Sequence, residues 1–189
     1  MIPEFIDFCL ELFPSIDPYT AEQAKRALEQ FDGVSKPKLA IEQQNFDMLQ
    51  GDFYSELPFC YYDNNGEQRI FLSKAELLSN TCDATRDDNL LFAAVRPISE
   101  FSGNADAIDA IKRNKRYSLF YVPDTPLDEY YIDFELITTI PREMVMKLCE
   151  SGNVKRIASL TSVGYYMFIS KLTIFLMRPE DLETNQNRN

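Results

Sequence analysis

The chain has 189 residues, with 19 Lys and Arg against 30 Asp and Glu, a formal net charge of −11, no histidine and no tryptophan. The lack of imidazole excludes Ser-His-Asp and Cys-His catalysis and all histidine metal ligation. The charge disfavours a broad nucleic-acid footprint, which needs Lys and Arg to displace counterions. At this length one globular domain is the default, and the hydrophobic (45%) and charged (26%) fractions are ordinary for one.

The four cysteines, Cys9, Cys60, Cys82 and Cys149, form no C-x-x-C pair. Neither a zinc site nor a disulfide framework is expected from them. The N-terminus carries Glu4, Asp7 and Glu11 and no early Lys or Arg, the wrong charge for a signal peptide. The most apolar run, Gly164 to Met177, is interrupted by Ser170 and Lys171 and falls short of the ~20 residues that span a bilayer. The expectation is a cytoplasmic, reduced protein with no cofactor, no metal and no membrane contact.

In chain order, residues 2–13 read as an amphipathic helix with Ile2, Phe5, Ile6, Cys9, Leu10 and Phe13 on one stripe. Pro14 and Pro18 stop it. Thr20, with Gln23 three residues on, opens a second helix carrying Ala24, Ala27, Leu28 and Phe31, which Asp32-Gly33 ends. From Gly51 the texture changes to short β-type runs. Gly51 to Tyr54 is an opening strand, and Phe59 to Tyr62 runs into the hairpin turn Asp63-Asn64-Asn65-Gly66. Arg69 to Leu72 is the return strand, Ala75 to Ser79 a further strand, and Asn80 to Asn89 a polar loop. Leu90 to Val95 is continuously apolar, the pattern of a strand buried on both faces, and Pro97 ends it.

Ala105 to Lys115 returns to helical spacing with Ala107, Ile108 and Ile111 inward. Tyr117 to Val122 is a strand. Tyr130 to Phe134 and Leu136 to Ile140 form one bent strand or two. Pro141 suits the first turn of a helix through Cys149. Arg156 to Leu160 is a strand fragment, and Thr161 caps a last helix with Tyr165, Phe168, Ile169, Leu172 and Leu176 on one face. Residues 180–189 are a polar tail.

Three stretches together resemble the MazF/PemK-type barrel, the fold of type II toxin–antitoxin endoribonucleases and their non-toxin relatives. They are Gly51-Asp52-Phe53-Tyr54; then Leu77-Leu78-Ser79-Asn80-Thr81-Cys82-Asp83 followed, after a loop, by Phe92-Ala93-Ala94-Val95-Arg96-Pro97-Ile98-Ser99; and Tyr131-Ile132-Asp133 with the later Arg156 to Leu160. The wording around Cys82 is similar to a divergent branch of that family. The resemblance implies an α+β protein: a small SH3-like antiparallel β-barrel over residues 50–178, with an inserted helix and a C-terminal helix. A helical extension (1–45) precedes it and a polar tail (179–189) follows.

For activity, the resemblance implies an Arg before the strand ending in Leu-Ser and a Thr or Ser in the Pro-Ile-Thr element. Ser99 fills the second position. The first is Ser73-Lys74-Ala75-Glu76, without Arg. Lys74 supplies charge there but not the planar fork that braces a phosphoryl transition state.

The candidate chemistry is correspondingly thin. Cys82 lacks a histidine or cation to lower its thiol pKa and has Asp83 beside it. Asp83, Asp87 and Asp88 match no calcium loop and read as a solvated acidic loop. Lys112, Arg113, Lys115 and Arg116 are the dense basic cluster, able to hold phosphates with Tyr117, Tyr121, Tyr130 and Tyr131 nearby to stack bases, or simply to solvate a helix. Phe5, Phe8 and Phe13, with Leu12, exceed what one narrow stripe buries and suit a partner surface or packing on the barrel.

Two functions follow. The first is a catalytically poor barrel acting as a protein-interaction or regulatory module, in a toxin–antitoxin or phage-defence setting, with a protein partner. The alternative is a metal-independent endoribonuclease cleaving single-stranded RNA, with Ser99 and Arg96 at the scissile phosphate and Lys74 or Lys112 on its neighbours. Oligomerisation is left open by the sequence.

Overall fold

The computed structural model describes residues 38–42 and 48–177. The two expected N-terminal helices, with Phe5, Phe8 and Phe13, and the polar tail lie outside the described residues.

Each strand forms where apolar residues alternate or run on between turn formers. The elements are β1 (Ala40–Ile41), β2 (Asp52–Tyr62), β3 (Gln68–Leu77), α1 (Thr81–Ala84), β4 (Asn89–Pro97), a 3-10 turn (Ile98–Glu100), α2 (Ala105–Lys112), β5 (Leu119–Tyr121), β6 (Tyr130–Pro141), α3 (Arg142–Glu150), β7 (Arg156–Leu160) and α4 (Ser162–Met177). All seven strands join one antiparallel sheet in the order β1-β7-β2-β3-β4-β6-β5. The fold is α+β. The sheet curls, because β2 and β6 approach each other across β3 and β4. Among the described residues no ladder joins β1 to β5.

Period-two alternation sends neighbouring side chains into different cores. Phe53, Ala93, Val95, Ile132 and Phe134 face α4, where Val163, Met167 and Phe168 cover them. Tyr54, Leu57, Phe92, Ala94 and Ile140 face the other way, against Val145 of α3. A third cluster packs Ile111 of α2 on Leu119, Tyr121 and Tyr131. β4 is therefore buried on both faces, as its apolar run predicts, with Leu91 alone of its apolar residues exposed.

The Asn65-Gly66 signal is a true hairpin turn. Gly66 sits at φ 77°, Gly66 N–H donates to the Asp63 carbonyl at 2.9 Å, and the Asp63 carboxylate receives the Asn65 and Glu67 N–H groups. Asp52, fully buried, ties β2 to β7 by accepting from Ser159 Oγ (2.5 Å) and Arg156 (3.1 Å).

Several boundaries differ from the sequence reading. Arg69–Leu72 and Ala75–Ser79 are one strand, because Ser73 and Lys74 find tertiary partners instead of breaking it: Ser73 Oγ donates to the Val95 carbonyl, and Lys74 Nζ to Tyr130 Oη. The polar loop holds the short helix α1, whose cap is Asn80 accepting from Cys82 N–H. The segments 130–134 and 136–140 are one strand with a shift in register opposite Ala93 and Ala94.

Helix α2 stops at Lys112, not Lys115. Asn114 adopts φ 57°, and the Lys115 and Asn114 N–H groups return to the Ala110 and Ile111 carbonyls, a left-handed C-terminal cap. On α4 the buried face is Val163, Gly164, Met167, Phe168, Lys171 and Ile174, whereas Leu176 is 66% exposed. Lys171 is fully buried there and donates to the Asn114 carbonyl. No described helix is long and apolar enough to cross a membrane.

Candidate functional site

β3 pairs with β4 only from Lys74 to Leu77, while β2 pairs with β7 only from Asp52 to Tyr54. Beyond those points residues 57–73 continue as a two-stranded ribbon. Between its β3 edge and the end of β4 the strands splay into a fork. The fork is a groove of about 700 Å³ lined by Arg69 to Lys74 on one side and Val95, Arg96 and Pro97 on the other. From Gln68 to Ser73 the β3 edge has no ladder partner on its β4 side among the described residues.

Ribbon side chains are sorted by face. Leu57 and Phe59 turn into the core of Tyr54 and Phe92, with Phe71 half-buried beside them. The opposite face carries Tyr62 (71% exposed), Ile70 (72%) and Leu72 (65%), which no described residue covers. Charge is arranged around this apolar strip. Arg69 bonds Asp63 and Glu67 at the turn. Lys74 Nζ lies 3.1 Å from Tyr130 Oη and 4.2 Å from that ring's centroid. Arg96 reaches Glu100 at 3.4 Å.

A second cleft, about 460 Å³, opens behind the Arg96–Glu100 pair, between β6 and the loop after α2. Lys115 and Arg116 line it, and the Arg116 guanidinium lies 5.5 Å from the Phe101 ring. Tyr131 and Asp133 also line it and are nearly buried, at 2% and 7% exposure. Burial pushes the Asp133 carboxyl and the Tyr131 phenol above their ordinary pKa values, with the Arg96 charge opposing both shifts.

The residues singled out from sequence fall as follows. Arg96 and Lys74 line the fork together. Ser99 is exposed in the 3-10 turn and lines neither cleft. Of the basic cluster, Lys115 and Arg116 enter the second cleft. Lys112 and Arg113 face outward on α2, where Arg113 pairs with Asp109 at 2.9 Å. Cys82 is exposed. The Asp87 and Asp88 carbonyls receive Arg142 donors, which ties the acidic loop to the start of α3.

Sequence reasoning missed the exposed face of Ile70 and Leu72 and the buried Asp133. Three consecutive apolar residues, Ile70-Phe71-Leu72, were the available signal for the first, since an alternating strand with one solvated face leaves no such run.

No family model matches the sequence, and no curated protein matches it. Among solved structures, the chain is similar to the MazE-MazF crystal structure (Form-II) from Deinococcus radiodurans, at 10% identity and a TM-score of 0.39. That likeness covers 70% of this chain and 99% of the other.

Proposed function

We propose that the protein is a polypeptide-binding regulatory module that captures an extended segment in the fork between β3 and β4. The observation that carries this reading is the unpaired β3 edge from Gln68 to Ser73, beside Ile70, Leu72 and Tyr62. An exposed edge offers backbone donors and acceptors at strand spacing, and apolar side chains next to it supply area and selectivity. Arg69, Lys74 and Arg96 on the rim favour a segment with carboxylates flanking its apolar residues. Its setting in a toxin–antitoxin or phage-defence system, and closure of the curled sheet into an SH3-like barrel, rest on the sequence resemblance and belong to this proposal.

The test is selection from a random peptide display library on the full chain. Enrichment of extended apolar peptides with acidic flanks, lost with the double variant Ile70→Asp/Leu72→Asp, is the expected result. Peptides that bind this variant as tightly as the original would remove the fork as the docking place.

The endoribonuclease reading has one observation in its favour, the meeting of Lys74 and Arg96 in a single groove. Its check is incubation with single-stranded RNA, with and without chelator. Cleavage abolished by Arg96→Ala and Ser99→Ala would establish it, and intact RNA across a wide protein concentration would reject it.

A further inference from the structure

The second cleft differs from the fork in having a carboxylate and a phenol that open onto it from its floor. Asp133 Oδ1 accepts from the Glu135 N–H at 3.0 Å, while Oδ2 accepts from no described residue. The Tyr131 hydroxyl likewise bonds to no described residue, although its ring packs edge-on against Phe101. Arg96, which the β4–β6 register sets opposite Tyr131, spends one donor on a 3.4 Å bond to Glu100. Among the described residues only the Glu76 oxygens are buried without a partner, so Asp133 Oδ2 and the Tyr131 hydroxyl open onto the cleft, where a ligand can meet them.

The chemistry of that ligand follows from what the groups facing the cleft can pair with. Asp133 needs an N–H donor, best a cationic one. Arg96 needs an acceptor, best a carboxylate taken by its fork. Asp133 stands two residues from Tyr131 on the same face of β6, so its Cα lies about 7 Å along the strand from the residue opposite Arg96. Charge count then separates the classes. Lys115, Arg116 and Arg96 balance Glu100, Asp133 and Glu135, so the lining has no surplus of positive charge to hold a phosphate dianion. The net charge of the whole chain, −11, repels such an anion further. A molecule with one charge of each sign and no net charge fits both the floor and the field.

We propose that this cleft is a binding site for a free α-amino acid, its ammonium on Asp133, its carboxylate on Arg96 and its side chain toward Phe101. The site shares Arg96 and Glu100 with the polypeptide groove, and its own floor, Asp133 and Tyr131, lies outside that groove.

The experiment is calorimetric titration of the full chain with each of the twenty free L-amino acids, then with the N-acetyl and methyl-ester forms of any that bind. Saturable one-to-one binding is expected, weakened about tenfold or more by either cap and by Asp133→Asn or Arg96→Gln. The capped compounds test the pairing on unaltered protein, whatever the variants do to folding. Heat signals absent for all twenty, binding indifferent to both caps, or a nucleoside monophosphate binding in their place with the same dependence on Asp133 would each overturn the assignment.

Discussion

β4 and the outer half of β3 belong to one sheet yet have opposite surroundings. Around Phe92 to Val95 both faces are covered, by α4 on one side and the core of Tyr54, Ala84 and Val145 on the other. On the neighbouring strand β3, past its pairing with β4, Ile70 and Leu72 carry side chains as apolar as those of β4 but stand more than half exposed. Hydrophobicity alone therefore does not place a strand inside. Coverage does, and on the ribbon it is supplied on one face only. Substitutions in β4 will be felt as stability, and under the proposed function those on the ribbon's open face as recognition.

The largest expected effect breaks the covered region. Phe92→Ala removes a fully buried ring that stacks edge-on with Tyr54 at 5.6 Å, and should cost about 3–5 kcal/mol in a urea unfolding titration. A loss below 1 kcal/mol would show that β4 is not the centre of the core.

Next comes Asn114→Ala, which loses two hydrogen bonds to the Tyr121 backbone and forces alanine into φ 57°, for about 2–3 kcal/mol together. Asn114→Gly should recover the backbone part alone. Equal losses from both variants would mean that the left-handed conformation contributes nothing.

Glu76 sharpens the contrast through pH. It sits between Phe53 and Ala93 in the ladders, is fully buried, and neither carboxylate oxygen has a hydrogen-bond partner among the described residues. Burial raises its pKa well above the ordinary 4.5, so the folded protein keeps a proton that the unfolded chain releases. The Glu76 contribution to stability is thus fullest below pH 4.5, falls as pH climbs to the folded pKa, and is flat above it. Glu76→Gln should flatten that slope and make the variant the more stable of the two on the alkaline side. Parallel pH profiles for the two proteins would refute the account.

The smallest effect on stability is expected from Ile70→Asp/Leu72→Asp, within about 0.5 kcal/mol, since both side chains are already solvated. A drop comparable to Phe92→Ala would mean that this face is covered after all.

The parts of the fold legible in sequence were those governed by local rules. Asn65-Gly66 dictates a turn because few residues tolerate positive φ, and Thr161 caps α4 by accepting from the Gly164 N–H. The continuous run of Leu90 to Val95 announced two covered faces. What local rules do not carry is partnership at a distance. Ser73-Lys74 looks like a break until the Val95 carbonyl and Tyr130 hydroxyl are placed beside it. Lys171 looks like an interruption of an apolar helix until the Asn114 carbonyl receives it.

The candidate site divides in the same way. Arg96 and Lys74 could be named from their place in a resembling motif. Asp133 and Tyr131 became neighbours of Arg96 only through the β4–β6 register.

That register has one more result. The Arg96–Glu100 pair lines both hollows, so it is the partition between them. A guanidinium swung fully toward a guest in one chamber is withdrawn from the other, which makes the two chambers rivals for a single cation rather than independent pockets.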